Sequence, residues 1–162
     1  MVEGLKEITV GMADLKTAKD NEMLSTVLGS CVGLCLYAPN HKVGGLLHLM
    51  MASAGANATL ATCKKAKYAD TGVPELIRVL RVSYGVNSSD LIAKMFGGAK
   101  VLQGVERNIG VENAVAVKTI LHEYGIPVRA HKLGGEKGYR IKFAMDTGKV
   151  ICQVFGQSLE EF

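Results

Sequence analysis

The sequence predicts an α/β (α+β) fold in which mixed β-sheets form a layered sandwich and two main helices pack outside. Three observations support this prediction: strand-like segments cluster near the N-terminus, two amphipathic helical segments in the centre each precede a strand, and an alternating hairpin closes the chain. The 162 residues are 48% hydrophobic and 21% charged, which suits a substantial buried core. We therefore expect a single domain over residues 1–162.

The N-terminal part of the chain contains the first predicted strands, at residues 5–12, 23–28 and 43–51, and an apolar run at residues 31–37. Gly29 and Ser30 form a turn signal directly ahead of that run. The segment 43–51 is apolar on both faces, so as a strand it should be buried on both sides. Small and polar residues then predict a flexible surface loop over residues 51–62.

Two helices are predicted in the centre of the chain. Asp70 or Thr71 caps the first, which ends at Gly85, and the second covers residues 111–124, with Gly125 after its end. Further strands are expected at residues 91–96, 128–133, 139–145 and 150–155. The candidates for the inner faces of the helices follow helical spacing: Val73, Leu76, Ile77, Leu80 and Tyr84 in the first, and Val111, Val115, Ile120, Leu121 and Tyr124 in the second.

Composition and charge exclude several classes of protein. A net charge of +4 without a run of like charges, and an aromatic content of 6%, do not suit nucleic-acid binding. No apolar stretch is long enough to span a bilayer and no export signal is evident, so we expect a cytoplasmic protein without membrane insertion. Cys31 and Cys35 are spaced neither as a redox pair nor as half of a zinc site, so we expect no metal. The Gly-rich stretches at 97–98 and 134–135 lack a nucleotide-binding pattern, so we expect no cofactor.

Cys31 is the candidate nucleophile. It follows Gly29 and Ser30 at the end of a strand, where a sharp turn can present a thiol beside backbone N–H groups. A thiolate that attacks an amide carbon creates an oxyanion, which the N–H groups of Ser30 and Cys31 could stabilise. The alternative is that Cys31 is a small buried hydrophobe, and we interpret Cys35, Cys63 and Cys152 as structural thiols.

His48 is the candidate base, because it alone among four histidines lies in an apolar run. A histidine buried there needs a polar partner, and it could also be a hydrogen-bonded core residue. The predicted strand ahead of Cys31, at residues 23–28, carries the hydroxyls of Ser25 and Thr26, which could orient the imidazole. Alternation along a strand means that only one of the two can point at the site.

Several motifs follow one another in order along residues 5–155. They are Ser-Thr-Val-Leu-Gly-Ser-Cys-Val-Gly-Leu-Cys-Leu-Tyr, Val-Gly-Gly-Leu-Leu-His-Leu-Met, Lys-Tyr-Ala-Asp, Ala-Lys-Met-Phe-Gly-Gly-Ala, Asn-Ile-Gly, and Gly-Gly ahead of Gly-Tyr-Arg. Together they resemble the signature of the CheD family of chemoreceptor glutamine deamidases. The resemblance implies that Cys31 is the nucleophile and His48 the catalytic histidine. It also implies that Ser25, at the position of the family's threonine, orients His48, with Thr26 as the alternative hydroxyl.

The resemblance also implies a reaction and partners. The expected activity is deamidation of glutamines on the cytoplasmic helices of methyl-accepting chemotaxis receptors, through a cysteine thioester and with release of ammonia. A chemotaxis phosphatase of the CheC type is the expected protein partner. Two alternatives stay open: a non-catalytic regulatory module that binds the receptor and the phosphatase, and a receptor methylesterase that uses the same residues on a different leaving group.

Overall fold

Two five-stranded mixed sheets pack face to face in the computed structural model, which describes residues 4–102, 104 and 106–162. The strands are β1 Lys6–Thr9, β2 Asp14–Lys19, β3 Glu22–Leu28, β4 Val32–Ala38, β5 Val43–Leu49, β6 Ile92–Gly97, β7 Val128–Leu133, β8 Tyr139–Ala144, β9 Val150–Val154 and β10 Leu159–Glu161. The helices are α1 Ala58–Cys63, α2 Ala69–Tyr84 and α3 Ile109–Glu123. None of the helices in these ranges is long and apolar enough to cross a membrane.

The two sheets differ in their strand order. Sheet 1 has the order β1-β3-β8-β9-β10, and sheet 2 has the order β2-β5-β4-β6-β7. In sheet 2, β4 pairs antiparallel with both β5 and β6, whereas β6 and β7 are parallel and α3 connects them. Parallel neighbours need such a crossover.

Strand β4 separates the two layers of the core. Val32, Leu34 and Leu36 pack with the buried faces of α2 and α3, while Cys35 and Tyr37 pack against residues of sheet 1. Every residue of β5 is buried as well, which confirms the prediction that this segment is covered on both sides. The layered sandwich of mixed sheets with two main helices outside is therefore confirmed.

Helix α2 begins earlier than the sequence predicts. Asp70 or Thr71 as its cap is wrong, because Tyr68 is the N-cap residue and has no side-chain capping bond. Backbone pairing explains the shift: Tyr68 forms an isolated parallel bridge with Met51, so the chain enters the helix from extended backbone beside the end of β5. The predicted inner face is largely confirmed, since its buried members are Val73, Leu76, Ile77 and Leu80.

The predicted inner face of α3 is partly wrong. Val111 and Val115 are more than half exposed, at 52% and 56%, and Tyr124 is also exposed. The buried stripe is Gly110, Asn113, Ala114, Val117 and Leu121. Gly110 lies so close to Gly98 that a Cβ atom on Gly110 would overlap the Gly98 backbone, so this contact determines which face of the helix turns inward.

Three further segments differ from the sequence-based prediction. Strand β2 was not predicted because it is a sheet edge, where charged side chains hide the apolar alternation. Strand β10, whose residues are all exposed, was not predicted either. The predicted loop over 51–62 contains the short helix α1, which Asn57 caps by accepting a hydrogen bond from the Leu60 N–H group.

We expect Gly97→Ala to lower the free energy of unfolding by about 2–4 kcal/mol. Gly97 has φ of +96°, and a Cβ atom there would lie 2.5 Å from the Cys31 carbonyl oxygen. Urea denaturation would measure the loss. Gly11→Ala is the matched control, because nothing lies within 4 Å of its added Cβ atom. Equal denaturation midpoints for both variants would contradict this account of Gly97.

Candidate active site

The candidate site lies between the two sheets, where β3 turns into β4. Cys31 directly precedes β4, and its side chain belongs to the core layer that faces sheet 1. His48 of β5 pairs with Gly33, which lies on the same face of β4 as Cys31. Cys31 comes directly before Val32, the first residue of β4 to pair with β5, so it lies next to the end of the ladder that contains His48.

The turn that carries Cys31 is held by the segment that follows β6. The Ala99 N–H group donates to the Gly29 carbonyl at 2.9 Å, and the Gly98 N–H group donates to the Cys31 carbonyl at 2.8 Å. Both donors belong to the Gly-Gly-Ala stretch singled out in the sequence. This stretch therefore holds the carbonyls of Gly29 and Cys31 in place.

The N–H groups of Ser30 and Cys31 donate to no backbone carbonyl among the described residues, and the Cys31 N–H group interacts only with its own thiol. The carbonyls of the same turn are bonded, so the turn uses its acceptors within the protein and leaves these two donors available. Unpaired N–H groups beside a nucleophile are the arrangement that stabilises an oxyanion. The geometry is compatible with the role expected for them.

A chain of two hydrogen bonds orients His48. Thr26 Oγ1 lies 2.7 Å from the Val10 carbonyl oxygen and 2.8 Å from His48 Nδ1. A carbonyl can only accept, so the single hydroxyl proton of Thr26 goes to Val10, and Thr26 must accept from a protonated Nδ1. The proton on Nδ1 leaves Nε2 with its lone pair, and Nε2 is buried with no hydrogen-bond partner among the described residues.

Ser25 does not contact His48, contrary to the assignment carried over from the family resemblance. Its hydroxyl donates to Glu7 Oε2 at 3.0 Å, on the face of β3 opposite Thr26. Leu24 and Leu28 share the face of Thr26 and pack in the core between the sheets, which explains why Thr26 points inward. The alternative hydroxyl, Thr26, is therefore the one that the structure brings to the imidazole.

Burial sets the resting protonation of the two candidate groups. Desolvation raises the pKa of the Cys31 thiol, an effect that the backbone N–H group of Cys31 itself only partly opposes. Desolvation also lowers the pKa of His48. Both shifts favour the uncharged forms, so a neutral thiol beside a neutral imidazole is the resting state at neutral pH.

The remaining thiols and imidazoles lie away from this arrangement. Cys35 and Cys152 are buried, and burial raises the pKa of Cys152 to about 11. Cys63 is exposed. The histidines outside the site are all exposed, as expected: His41, His122 and His131.

A surface depression of about 310 Å³ opens beside the turn that carries Cys31. Ser30 forms part of its wall, together with apolar Val101 and Leu102 and basic Lys100 and Arg107. A side chain that enters this depression from outside would approach the turn on which Cys31 lies.

Sequence-based reasoning missed Asn113, the fully buried polar residue of α3. Its amide donates to the Ser30 carbonyl at 3.2 Å and to the Met50 carbonyl at 3.0 Å. The predicted inner face of α3 centred on Val111 and Val115, which placed Asn113 outside the contact surface. The missed signal was one polar residue within an otherwise small and apolar stripe.

Comparison with known proteins gives one consistent result. The family model described as CheD chemotactic sensory transduction matches residues 50–154. A protein of Desulforamulus reducens named probable chemoreceptor glutamine deamidase CheD is 39% identical over 99% of this chain and 98% of its own length. Proteins with the same name are 38% identical in Caldanaerobacter subterraneus subsp. tengcongensis, over 96% of this chain and 97% of the relative, and 36% identical in Archaeoglobus fulgidus, over 91% and 92%.

A solved structure shares the fold. The Bacillus licheniformis hypothetical protein YfiH superposes with a TM-score of 0.50 over 73% of this chain, at 14% sequence identity. This chain spans 49% of the length of that structure. The likeness concerns the arrangement of sheets and helices alone, whereas the full-length relatives and the family match concern the sequence. On the evidence of those relatives and that match, the chain belongs to the CheD family.

Proposed function

We propose that this protein deamidates glutamine side chains of methyl-accepting chemotaxis receptors and releases ammonia. The curated relatives carry the name of that activity. The proposal assigns Cys31 as nucleophile, His48 as general base and Thr26 as the residue that orients His48. It keeps the expected cytoplasmic location, because the family resemblance implies substrate glutamines on the cytoplasmic helices of receptors.

The observation that carries the proposal is the hydrogen-bond chain from Val10 through Thr26 to His48. A histidine kept only for core stability would be expected to satisfy both ring nitrogens. Here one nitrogen is held in the protonated form, and the other, on the face shared with Cys31, has no partner within the part of the chain that the structure describes. That is the tautomer that a general base for the thiol requires.

In the first half of the proposed reaction, His48 Nε2 removes the thiol proton of Cys31 as the sulfur attacks the glutamine carboxamide carbon. A carbon–sulfur bond forms, and the carbonyl electron pair moves onto oxygen, where the N–H groups of Ser30 and Cys31 stabilise it. The carbon–nitrogen bond then breaks. The imidazolium returns its proton to the leaving nitrogen, which departs as ammonia.

In the second half, water hydrolyses the thioester. His48 removes a proton from the water, whose oxygen attacks the thioester carbon, and the carbon–sulfur bond breaks as the proton returns to sulfur. The products are glutamate on the receptor and the free thiol of Cys31. Because both groups begin and end uncharged, the cycle needs no preformed ion pair, which is consistent with the directions of the two pKa shifts.

The two alternatives differ in what they release. A regulatory module that binds the receptor and a CheC-type phosphatase would release nothing, and its support in the sequence was the loss of a methyl group at Ser25. That support disappears because Thr26 contacts His48. A receptor methylesterase would release methanol. Incubation with an unmodified receptor cytoplasmic fragment, followed by assays for ammonia and methanol, tests all three; absence of ammonia would contradict the proposal.

We expect Thr26→Val to lower kcat by roughly 10- to 100-fold. Valine keeps the shape of threonine but cannot accept from His48 Nδ1, so the imidazole loses both its tautomer preference and its orientation. The matched variant is Ser25→Ala on the neighbouring position of β3, which removes only the bond to Glu7. We expect its kcat to stay within about twofold of the unmodified protein.

Steady-state ammonia release from a receptor fragment would measure both variants. The opposite pattern, a large loss with Ser25→Ala and little change with Thr26→Val, would contradict the assignment of Thr26. Circular dichroism of each variant controls for folding, because both residues are nearly buried.

A further inference from the structure

Asn113 connects the two segments that carry the proposed nucleophile and base. It lies on the buried face of α3 with an exposed fraction of 0%. Its Nδ2 group donates to the carbonyl of Ser30, which precedes Cys31, and to the carbonyl of Met50, two residues after His48. One side chain on a helix therefore bonds both sides of the site.

The position of this amide coincides with the end of the β4–β5 ladder. The last pair of the ladder is Val32 with Leu49. Beyond it Met50 turns away, and its N–H group donates to the Lys67 carbonyl at 2.9 Å. The two strands thus separate between Cys31 and Met50, which form the two sides of a fork. Asn113 fills this fork with two hydrogen-bond donors.

The orientation of the amide follows from its partners. Both are carbonyl oxygens, which only accept, so Nδ2 must face the fork. Oδ1 then lies on the other side, where it is buried without a hydrogen-bond partner among the described residues. Both hydrogen bonds of the Asn113 side chain are donated to the fork, whereas its acceptor oxygen has no partner among the described residues. The two donor bonds therefore explain why this side chain is buried here.

We propose that Asn113 is a positioning residue that sets the separation of Cys31 from His48. The inference rests on the proposed function, because it concerns the pair assigned there. The other bonds to the turn come from Gly98 and Ala99, after β6, and do not reach β5. Without Asn113 the fork can open, and the thiol can move away from the imidazole while the fold persists.

Asn113→Leu and Asn113→Asp test the proposal, because both remove the two donors while changing side-chain size little. We expect kcat for receptor-fragment deamidation to fall roughly 10- to 100-fold with KM unchanged. We also expect iodoacetamide to alkylate Cys31, mapped by peptide mass, more slowly at neutral pH and with a midpoint shifted to higher pH. Val117→Ala, one turn further along the buried face of α3, destabilises the helix without touching the fork and should change neither readout.

Folded Asn113 variants with the kcat and alkylation profile of the unmodified protein would overturn the proposal. The alkylation profile does not depend on turnover, so it tests the role of Asn113 even if the unmodified protein releases no ammonia. Absence of ammonia release would contradict only the deamidase assignment. Side-chain amide exchange in the unmodified protein, followed by NMR, is independent of variant folding. Slow exchange at Asn113 relative to exposed Asn40 supports the proposal, and equally fast exchange overturns it.

Discussion

Cys31→Ala is expected to abolish deamidation, with a loss of at least about 10⁴-fold in kcat. The variant removes the sulfur that would form the thioester, and the hydroxyl of Ser30 on the same turn is a far weaker nucleophile than a thiolate. Mass spectrometry of a receptor cytoplasmic fragment would measure the effect as the gain of about one mass unit at specific glutamines, present with the unmodified protein and absent with the variant.

Two controls separate loss of chemistry from loss of structure. Cys63→Ala removes a thiol that is exposed, whereas Cys31 is buried, and this variant should retain full activity. Cys31→Ala should lower the free energy of unfolding by only about 1–2 kcal/mol, because it removes a single sulfur atom from a buried position. Glutamine conversion by a folded Cys31→Ala protein would eliminate Cys31 as the nucleophile.

His48→Asn is expected to lower kcat by roughly 10²- to 10⁴-fold, the contribution typical of a general base. Asparagine can still donate to Thr26 through its amide, so the bond that orients His48 has a substitute, but nothing replaces Nε2. The variant therefore tests the base rather than the hydrogen-bond chain. Ammonia release across a range of pH would measure it.

The pH dependence of the unmodified protein gives the same assignment a second test. The neutral imidazole is the active form, so kcat/KM should rise with pH through the pKa of His48. Burial lowers that pKa, which places the acid limb below the ordinary histidine value of about 6.5. This limb should be absent in His48→Asn, and an unchanged limb in that variant would show that another group controls it.

The protonation of His48 should also make the free energy of unfolding depend on pH. Because the pKa of His48 is lower in the folded protein, the unfolded chain binds a proton first as the pH falls. The folded state is therefore expected to lose stability from about pH 6.5 downward, until the lowered pKa is reached. In His48→Asn this contribution to acid sensitivity should disappear from urea titrations.

The main residues of the candidate site could be selected from local sequence alone. Gly29 and Ser30 mark a turn, Cys31 follows it, and His48 stands out as the polar residue in an apolar run. Turn chemistry and burial patterns depend on near neighbours in the chain, which is why they are visible without tertiary structure. The fold class follows from the same kind of signal, since strand and helix periodicities are local.

Which hydroxyl meets His48 required the tertiary structure. Strand β3 is buried on both faces along most of its length, so its sequence offers no contrast between an inner and an outer side. Alternation established that Ser25 and Thr26 point in opposite directions. Only the packing of Leu24 and Leu28 against sheet 2 decided that Thr26 faces the imidazole.

The face of α3 that turns toward the core also depends on a residue outside the helix. Valines at 111 and 115 suggested one inner face, but the close approach of Gly110 to Gly98 turned Asn113 inward instead. The sequence by itself predicted the strand-rich sandwich from local periodicity and turns, and it offered Cys31 and His48 as candidates, whose pairing was implied by the family resemblance. Tertiary structure alone decided the orienting hydroxyl and the amide at the fork, because both depend on contacts between segments distant in the chain.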